Sequence, residues 1–450
     1  MSAPPAAPSR APLLAAPDVP APAPPPRRRA LLPALATVLL LALPGERWSV
    51  AGGQVAPADL ASLLLAGCGL ALLARPGPRL RPAAAVLLAA PAAAFALTTM
   101  ASADPAGSLP GFARCLQVFV LVPLAVVLLL RDRRDFRLLA LAVLALALAQ
   151  GALGTWQHRT GNGASYLGEN VRAVGTFGPM NVMGMATVVS LGLVLALALG
   201  LAPPAHASRL RRPAALGCAA LLAVPLAFSF SRGAWLATGA AVCAVLLLAG
   251  RRPVRTLLAV TALAALAGGG VAAFGPGMLQ ERIGSIGQVT GSGADQSVTD
   301  RYAMWDAAVS MWRDAPWTGT GPKGYAGHRD AHASLALSGG SDTGGAGHAF
   351  RRQELQSPHN MYLLLLSEQG LIGAGTAVCC WAALLACAVR RLRAARRSDV
   401  GLAATGLLVW HAVNFLYADI GGPHTVLTGI AFGLTAWWAL SPAAVAERAP

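Results

Sequence analysis

Charge is what this chain has least of. Asp, Glu, Lys and Arg make up 12% of its 450 residues, about half the share of an ordinary soluble domain. Lysine is nearly missing: Lys323 is the single one. Acidic residues are few and scattered, and Asp300, Asp306, Asp314 and Glu354 form no carboxylate pair of the hydrolase type. Six of the seven cysteines (Cys68, Cys218, Cys243, Cys379, Cys380, Cys387) fall inside apolar runs and Cys115 near the start of one. That placement argues against a disulfide framework or a Cys-rich metal site.

What fills the chain instead is apolar: 55% hydrophobic residues and a mean hydropathy of +0.57. This is a polytopic membrane protein, all-α, built as a bundle of about twelve transmembrane helices with one large extracytoplasmic loop containing short helices. Apolar runs occur at 30–45, 58–74, 83–102, 113–130, 136–154, 179–201, 213–230, 233–250, 255–274, 361–388, 400–418 and 422–440. The division expected is a disordered Pro/Ala-rich tail (1–29), helices one to nine (30–274), an active-site loop (275–360), helices ten to twelve (361–440) and a short tail (441–450). Although Arg27, Arg28 and Arg29 before an apolar run mimic a signal peptide, the first helix reads as uncleaved.

The net charge of +16 would point to nucleic acid in a soluble domain. Here the arginines cluster in short loops, at 75/79/81, 131/133/134, 209/211/212, 251/252/255 and 390–397 as well as 27–29. Every second loop is basic, and a cytoplasmic N-terminus puts all of them inside. No nucleic-acid partner is expected. Both termini are then cytoplasmic, the location is the cytoplasmic (inner) membrane, and residues 275–360 face outward.

Basic residues left on the outer side are not required by topology. Arg232, in Phe228-Ser229-Phe230-Ser231-Arg232-Gly233, sits where an arginine is costly unless it snorkels or meets an anion. Guanidinium matches phosphate oxygens in bidentate geometry. Arg172 precedes Asn181, which reads as a helix cap or a ligand. Arg301 opens an amphipathic stretch (Met304, Trp305, Ala308, Trp312) expected to lie as a helix on the membrane face. Gly319-Thr320-Gly321-Pro322-Lys323-Gly324 matches G-x-G-x-x-G, but no strand precedes it, and a glycine turn packed against other backbone explains it without a nucleotide. In Ser357-Pro358-His359-Asn360, Asn360 can cap the following helix, while His359 is placed either to support that helix or to take a proton from an attacking hydroxyl. The His328/His332 pair invites zinc, yet its region lacks a clear third ligand other than distant His348.

Ser231-Arg232-Gly233, Arg301 with Trp305, Gly319/Gly321/Gly324/Tyr325, and Pro358-His359-Asn360 followed by Tyr362, Glu368, Gly370 and Gly373 resemble, in order and in placement, the O-antigen ligase and O-antigen polymerase family over residues 170–440. The resemblance implies a metal-independent, inverting glycosyltransferase without cofactor. Such an enzyme moves glycan from an undecaprenyl-diphosphate-linked donor to a glycan or lipid acceptor hydroxyl. By motif, His359, Arg301 and Arg232 would be catalytic. Arg172, Asn181, Lys323, Tyr325 and Asn360 would bind diphosphate or sugar. Membrane lipids, and chain-length or export partners, complete the expected company. Departures from the pattern are a Gly/Ser/Ala-rich insertion at 333–347 and an arginine-rich, nearly lysine-free composition. The alternative is a transporter or flippase of lipid-linked saccharides, against which stand the lack of related halves and of an evident intramembrane Asp or Glu.

Overall fold

A computed structural model of the chain describes residues 31–44, 48–50, 53–75, 80–166, 170–204, 207–250, 296–333, 341–342, 352–353, 357–395 and 398–444. Its elements are α1 (Leu32–Leu39), α2 (Pro57–Leu73), α3 (Pro82–Met100), α4 (Pro105–Leu116), a π-helical segment (Gln117–Leu121), α5 (Val122–Leu129), α6 (Arg133–Thr160), α7 (Val182–Leu201), α8 (Arg211–Phe228) and α9 (Arg232–Ala249). Then come α10 (Gln296–Asp314), α11 (Gly324–His332), α12 (Met361–Ala394), α13 (Asp399–Asn414) and α14 (Thr425–Leu440). Three two-stranded antiparallel ribbons punctuate the loops; the second pairs Ala164–Tyr166 with Asn170–Arg172.

Eleven of the twelve apolar runs coincide with helices. The run at 255–274, the tail 1–29, His348 and Glu354 lie outside the described residues. Among the described residues, seven helical spans are long and apolar enough to cross a bilayer: α3, α4–α5, α6, α7, α8, α9 and α12, with α1, α2 and α14 shorter. The fold is therefore all-α and multi-helical in the sense the apolar runs require. Helices α7, α13 and α14 are buried on all sides, as helices apolar around their whole circumference must be when they form the centre of a bundle.

Antiparallel neighbours give the bundle two ends. At one, Arg137 forks onto Asp399 at 2.7 and 2.9 Å, with Arg211 3.6 Å away. Arg391 there donates to the Trp438 and Ser441 carbonyls at 2.5 and 2.6 Å, and Arg133 to the Ala444 carbonyl at 2.9 Å. All but Arg137 come from the basic loops, and Arg391 and Arg133 answer carbonyls at and just past the end of α14. The other end gathers the close of α6, the start of α7, the α8–α9 turn, the start of α12 and the α13–α14 loop.

Helix α10 corrects one expectation. It does not spread its apolar side on a membrane face: Met304, Ala307, Ala308 and Met311 are buried, and the helix packs against α11 and α12.

Candidate active site

The site end is organised by a break in a helix. At Gly370, φ is +58° and ψ −165°, so α12 loses its regular ladder there. The chain at 316–321 supplies the missing partners. Leu371 N–H donates to Pro316 O (2.9 Å) and Ile372 N–H to Trp317 O (3.1 Å), while Thr320 N–H and Gly321 N–H donate to Ser367 O (3.0 Å) and Glu368 O (2.7 Å). Peptide groups freed inside an apolar span have to be answered by protein. Backbones meet so closely that a Cβ on Gly319 would fall 2.4 Å from the Glu368 carbonyl carbon, and one on Gly370 2.3 Å from that of Trp317. The glycine motif is thus a docking strip for the broken helix.

Glu368, buried within α12, accepts from the Tyr325 N–H at 3.1 Å and from the Lys323 N–H. It is an acidic residue inside an apolar span, and so corrects the expectation that none is present. Its signal was in the sequence, eight residues past the Asn360 cap. Tyr325 is fully buried and its hydroxyl donates to Met304 O at 3.0 Å; burial pushes its phenol above the usual range. Its ring and hydroxyl are therefore engaged within the protein, holding α11 to α10, and offer no face to a sugar.

His359 stands at the mouth of this arrangement. The Asn360 side chain accepts from Tyr362 N–H (3.0 Å) and Leu363 N–H (3.1 Å), the N-cap the sequence suggested. Pro358 O accepts from the indole of Trp305 at 2.9 Å. Arg301, one helical turn before Trp305, lies on the same side of α10. Across the cleft, Met361 N–H donates to the Phe415 and Ala418 carbonyls at 2.8 and 3.1 Å, which seats the loop after α13 beside the histidine. That loop delivers Asp419, whose Oδ2 lies 3.7 Å from His359 Nδ1 and takes a hydrogen bond from Ser357.

His359 keeps 47% of its side-chain surface open, although its surroundings are crowded. Burial by those neighbours holds its pKa below the usual value, the Asp419 carboxylate pulls it back up, and the Arg301 guanidinium pushes it down. The net direction is downward, which favours the free base that can accept a proton. Its backbone is left-handed, φ +48°, as are Phe230 (+48°) and Lys323 (+67°), the three non-glycine cases among the described residues. Each costs about 1–3 kcal/mol and must be held by its surroundings. Each sits in a turn carrying a site candidate.

The other candidates join from the opposite side. Ser231 caps α9, accepting from Ala234 N–H, so Arg232 opens that helix. Gly233 packs on Tyr417, two residues from Asp419: a Cβ there would lie 2.8 Å from the Tyr417 Cβ. Ala173 N–H donates to Phe228 O at 3.1 Å, tying the Arg172 ribbon to the α8–α9 turn, and His158 stacks on Phe228 at 4.1 Å. Two glutamines in the apolar run of α6 hold this segment. Gln157 accepts from Val174 N–H and Gly175 N–H, and Gln150 from Thr176 N–H. Asn181 makes no capping bond to α7; its amide donates to Phe177 O at 3.3 Å and its oxygen faces Gly422. Arg232, Arg301, Arg172, Asn181, His359 and Asn360 therefore belong to one end of the bundle. Lys323 and Tyr325 belong to the glycine turn behind it.

His328 and His332 diverge, the first meeting Gly324 O (2.9 Å) and the second Ser310 (3.1 Å) and Asp314 (3.7 Å). Asp419 is the residue sequence reasoning missed. Its only signal was an acid in a very short loop between the last two apolar runs.

The described residues thus form an all-α, multi-helix protein with a histidine, a carboxylate and guanidinium groups at one end of the bundle. Residues 217–378 match the family model described as O-antigen ligase (Wzy_C), which supports assigning the chain to the O-antigen ligase/polymerase family and reading it as a membrane enzyme of that type. The match runs from α8 into α12 and includes Arg232, Arg301 and His359. No curated protein matches the chain.

Proposed function

We propose that the protein is a glycosyltransferase of the outer face of the cytoplasmic membrane, with both termini inside, about twelve crossings, and the segment 275–360 outside. It takes glycan from an undecaprenyl-diphosphate-linked donor and passes it to an acceptor hydroxyl. The observation that carries this reading is the seating of His359 between Asp419 and Arg301, at the start of α12 and beside the Arg232 turn.

With His359 Nδ1 turned to Asp419, Nε2 takes the acceptor proton as the acceptor oxygen bonds to the anomeric carbon. The bond from that carbon to the diphosphate oxygen breaks on the opposite face, which inverts the configuration. Undecaprenyl diphosphate leaves with the bonding electrons. Arg232 and Arg301, with Arg172 nearby, hold that growing negative charge in a poorly solvated rim, so the chemistry needs no metal. Asp419 steadies the imidazolium that results. Donor binding would also cancel the Arg301 charge that depresses His359 basicity, so the base strengthens when the substrate is in place.

The test is product formation. Purified full-length protein in lipid nanodiscs receives an undecaprenyl-diphosphate glycan with and without candidate acceptors. Acceptor-linked or lengthened glycan should form with equimolar undecaprenyl diphosphate. No release with any acceptor, together with movement of the intact donor between leaflets of proteoliposomes, would replace the transferase with a flippase.

A further inference from the structure

Arg114 stands in the last turn of α4, at the site end, where helix orientation asks for no arginine. Its contacts are complete and unusual. One guanidinium nitrogen donates to Asp59 Oδ1 (2.5 Å) and Gln117 Oε1 (3.0 Å), and the other reaches across to the Gly422 carbonyl (3.0 Å). Asp59 is itself fixed, nearly buried at the start of α2 and accepting from Ala56 N–H at 2.9 Å. Gln117 is tied to Ser62 of the same helix at 2.5 Å. A single planar fork thus joins α2, α4 and the π-helical segment to the α13–α14 loop.

Gly422 is left-handed, φ +78°, and lies against Asn181. Three residues upstream in that loop is Asp419, whose carboxylate must meet His359 at 3.7 Å while taking the Ser357 hydroxyl. A loop with no regular structure holds such a distance only if both its flanks are anchored. One flank is the Met361 N–H bonded to the Phe415 and Ala418 carbonyls. The other is the Gly422 carbonyl, which the Thr425 hydroxyl ties to the start of α14 (2.8 Å) and which, among the described residues, Arg114 alone ties to α2 and α4.

We propose that Arg114 is a positioning residue for the His359–Asp419 pair: its fork clamps the Gly422 carbonyl to Asp59 and so sets where the Asp419 carboxylate stands. Lysine cannot replace it, because an ammonium on a flexible stem does not span two acceptors in a fixed plane. The inference rests on reading His359 as the base, but its geometry can be measured without any transfer reaction.

The measurement is the pH dependence of His359 modification by diethyl pyrocarbonate, followed by mass spectrometry of the peptide. Full-length protein in nanodiscs would be compared as wild type, R114K, D419N and the double variant. The charged groups facing His359 are Asp419 and Arg301, and Asp419 in turn faces Glu368. D419N should move the midpoint to lower pH. R114K should move it the same way by a smaller part of that shift, and add nothing in the double variant. In the transfer assay, R114K should lose about tenfold in kcat, as a misplaced supporting group does, with donor KM unchanged. A wild-type midpoint in R114K, full additivity with D419N, or a raised donor KM would each overturn the proposal. If R114K fails to fold, D59N, which weakens the same anchor, carries the comparison. A chain that transfers nothing yet shows these midpoints refutes the transferase and leaves the positioning role standing.

Discussion

The two ends of the bundle use arginine for opposite purposes. At the basic end, Asp399 is nearly buried and answers both Arg137 and Arg211, while Arg391 and Arg133 close the carbonyls after α14. Those contacts are internal and regular: guanidinium to carboxylate, or guanidinium to a helix C-terminus. At the site end Arg114 shows such contacts too; Arg232 and Arg301 sit next to strained turns, a half-open histidine and a broken helix. One end spends its charge on orienting and fastening helices. The other sets the Arg301 guanidinium where it lowers the basicity of His359.

The largest contrast follows from exchanging one residue at each end. His359→Ala should lower transfer by about 10²–10⁴-fold, the usual contribution of a general base, with the melting temperature in detergent little changed. Asp399→Ala should do the reverse. It leaves the half-buried Arg137 guanidinium without its carboxylate, a loss of up to about 3 kcal/mol, below that of a fully buried pair, seen as early thermal unfolding, while the folded fraction keeps its turnover per molecule. Equal loss of activity from both would erase the distinction between the ends.

Gly370→Ala comes next. The position combines a left-handed φ with the Trp317 carbonyl 2.3 Å from the would-be Cβ. It should cost well over about 1 kcal/mol and release the 316–325 strip, which protease nicking between α10 and α11 would report.

A subtler test uses pH. Because burial and Arg301 depress the His359 pKa, its free base is present at neutral pH and kcat/KM should fall only on the acid side, below the ordinary imidazole value of about 6.5. Asp419→Asn removes the influence that raises the pKa, so the acid limb should move to lower pH. Arg301→Gln removes one that lowers it, so the limb should move to higher pH, alongside weaker donor binding. The same sign holds for stability: a histidine depressed on folding opposes the native state as pH falls below its unfolded pKa. Shifts in the same direction for both variants would mean that at least one of the two charges does not act on His359 as placed.

How far the site was legible follows the range of each signal. Local signals read correctly: eleven apolar runs became helices, Asn360 caps α12, and the glycine turn packs on backbone. The motif order put Arg232, Arg301 and His359 at one end. What stayed hidden was long-range. Asp419 approaches His359 from a loop 60 residues on, and an acid in that short loop carries no sign of which residue it meets. Gln150, Gln157 and Arg114 sit inside or at the edge of apolar runs, where a polar residue tells that it has a partner but not which one. The family pattern implies a diphosphate or sugar contact for Tyr325, whereas its ring is buried and its hydroxyl is bonded to Met304 O. Trp305 was assigned to the membrane interface, yet its indole is hydrogen-bonded to Pro358.

The smallest effect is expected at Lys323, and it sharpens the comparison because this residue belongs to neither end by sequence. Its backbone is what the fold uses: a left-handed φ of +67° opening α11, with its N–H given to Glu368. A lysine in that conformation is mildly strained, and glycine adopts it freely, so Lys323→Gly should change stability by about 1 kcal/mol or less. Lys323→Ala keeps the strain and removes the ammonium. If the ammonium grips donor diphosphate, both variants should raise donor KM alike while Lys323→Arg restores it. If the backbone alone matters, Lys323→Gly should match wild type in KM and kcat, and Lys323→Ala should differ from it only in stability. The second outcome is the one the geometry favours, since the residue is exposed and its turn is docked by main-chain bonds; a matched rise in KM would instead extend the anion-binding rim across the broken helix to the far side of Glu368.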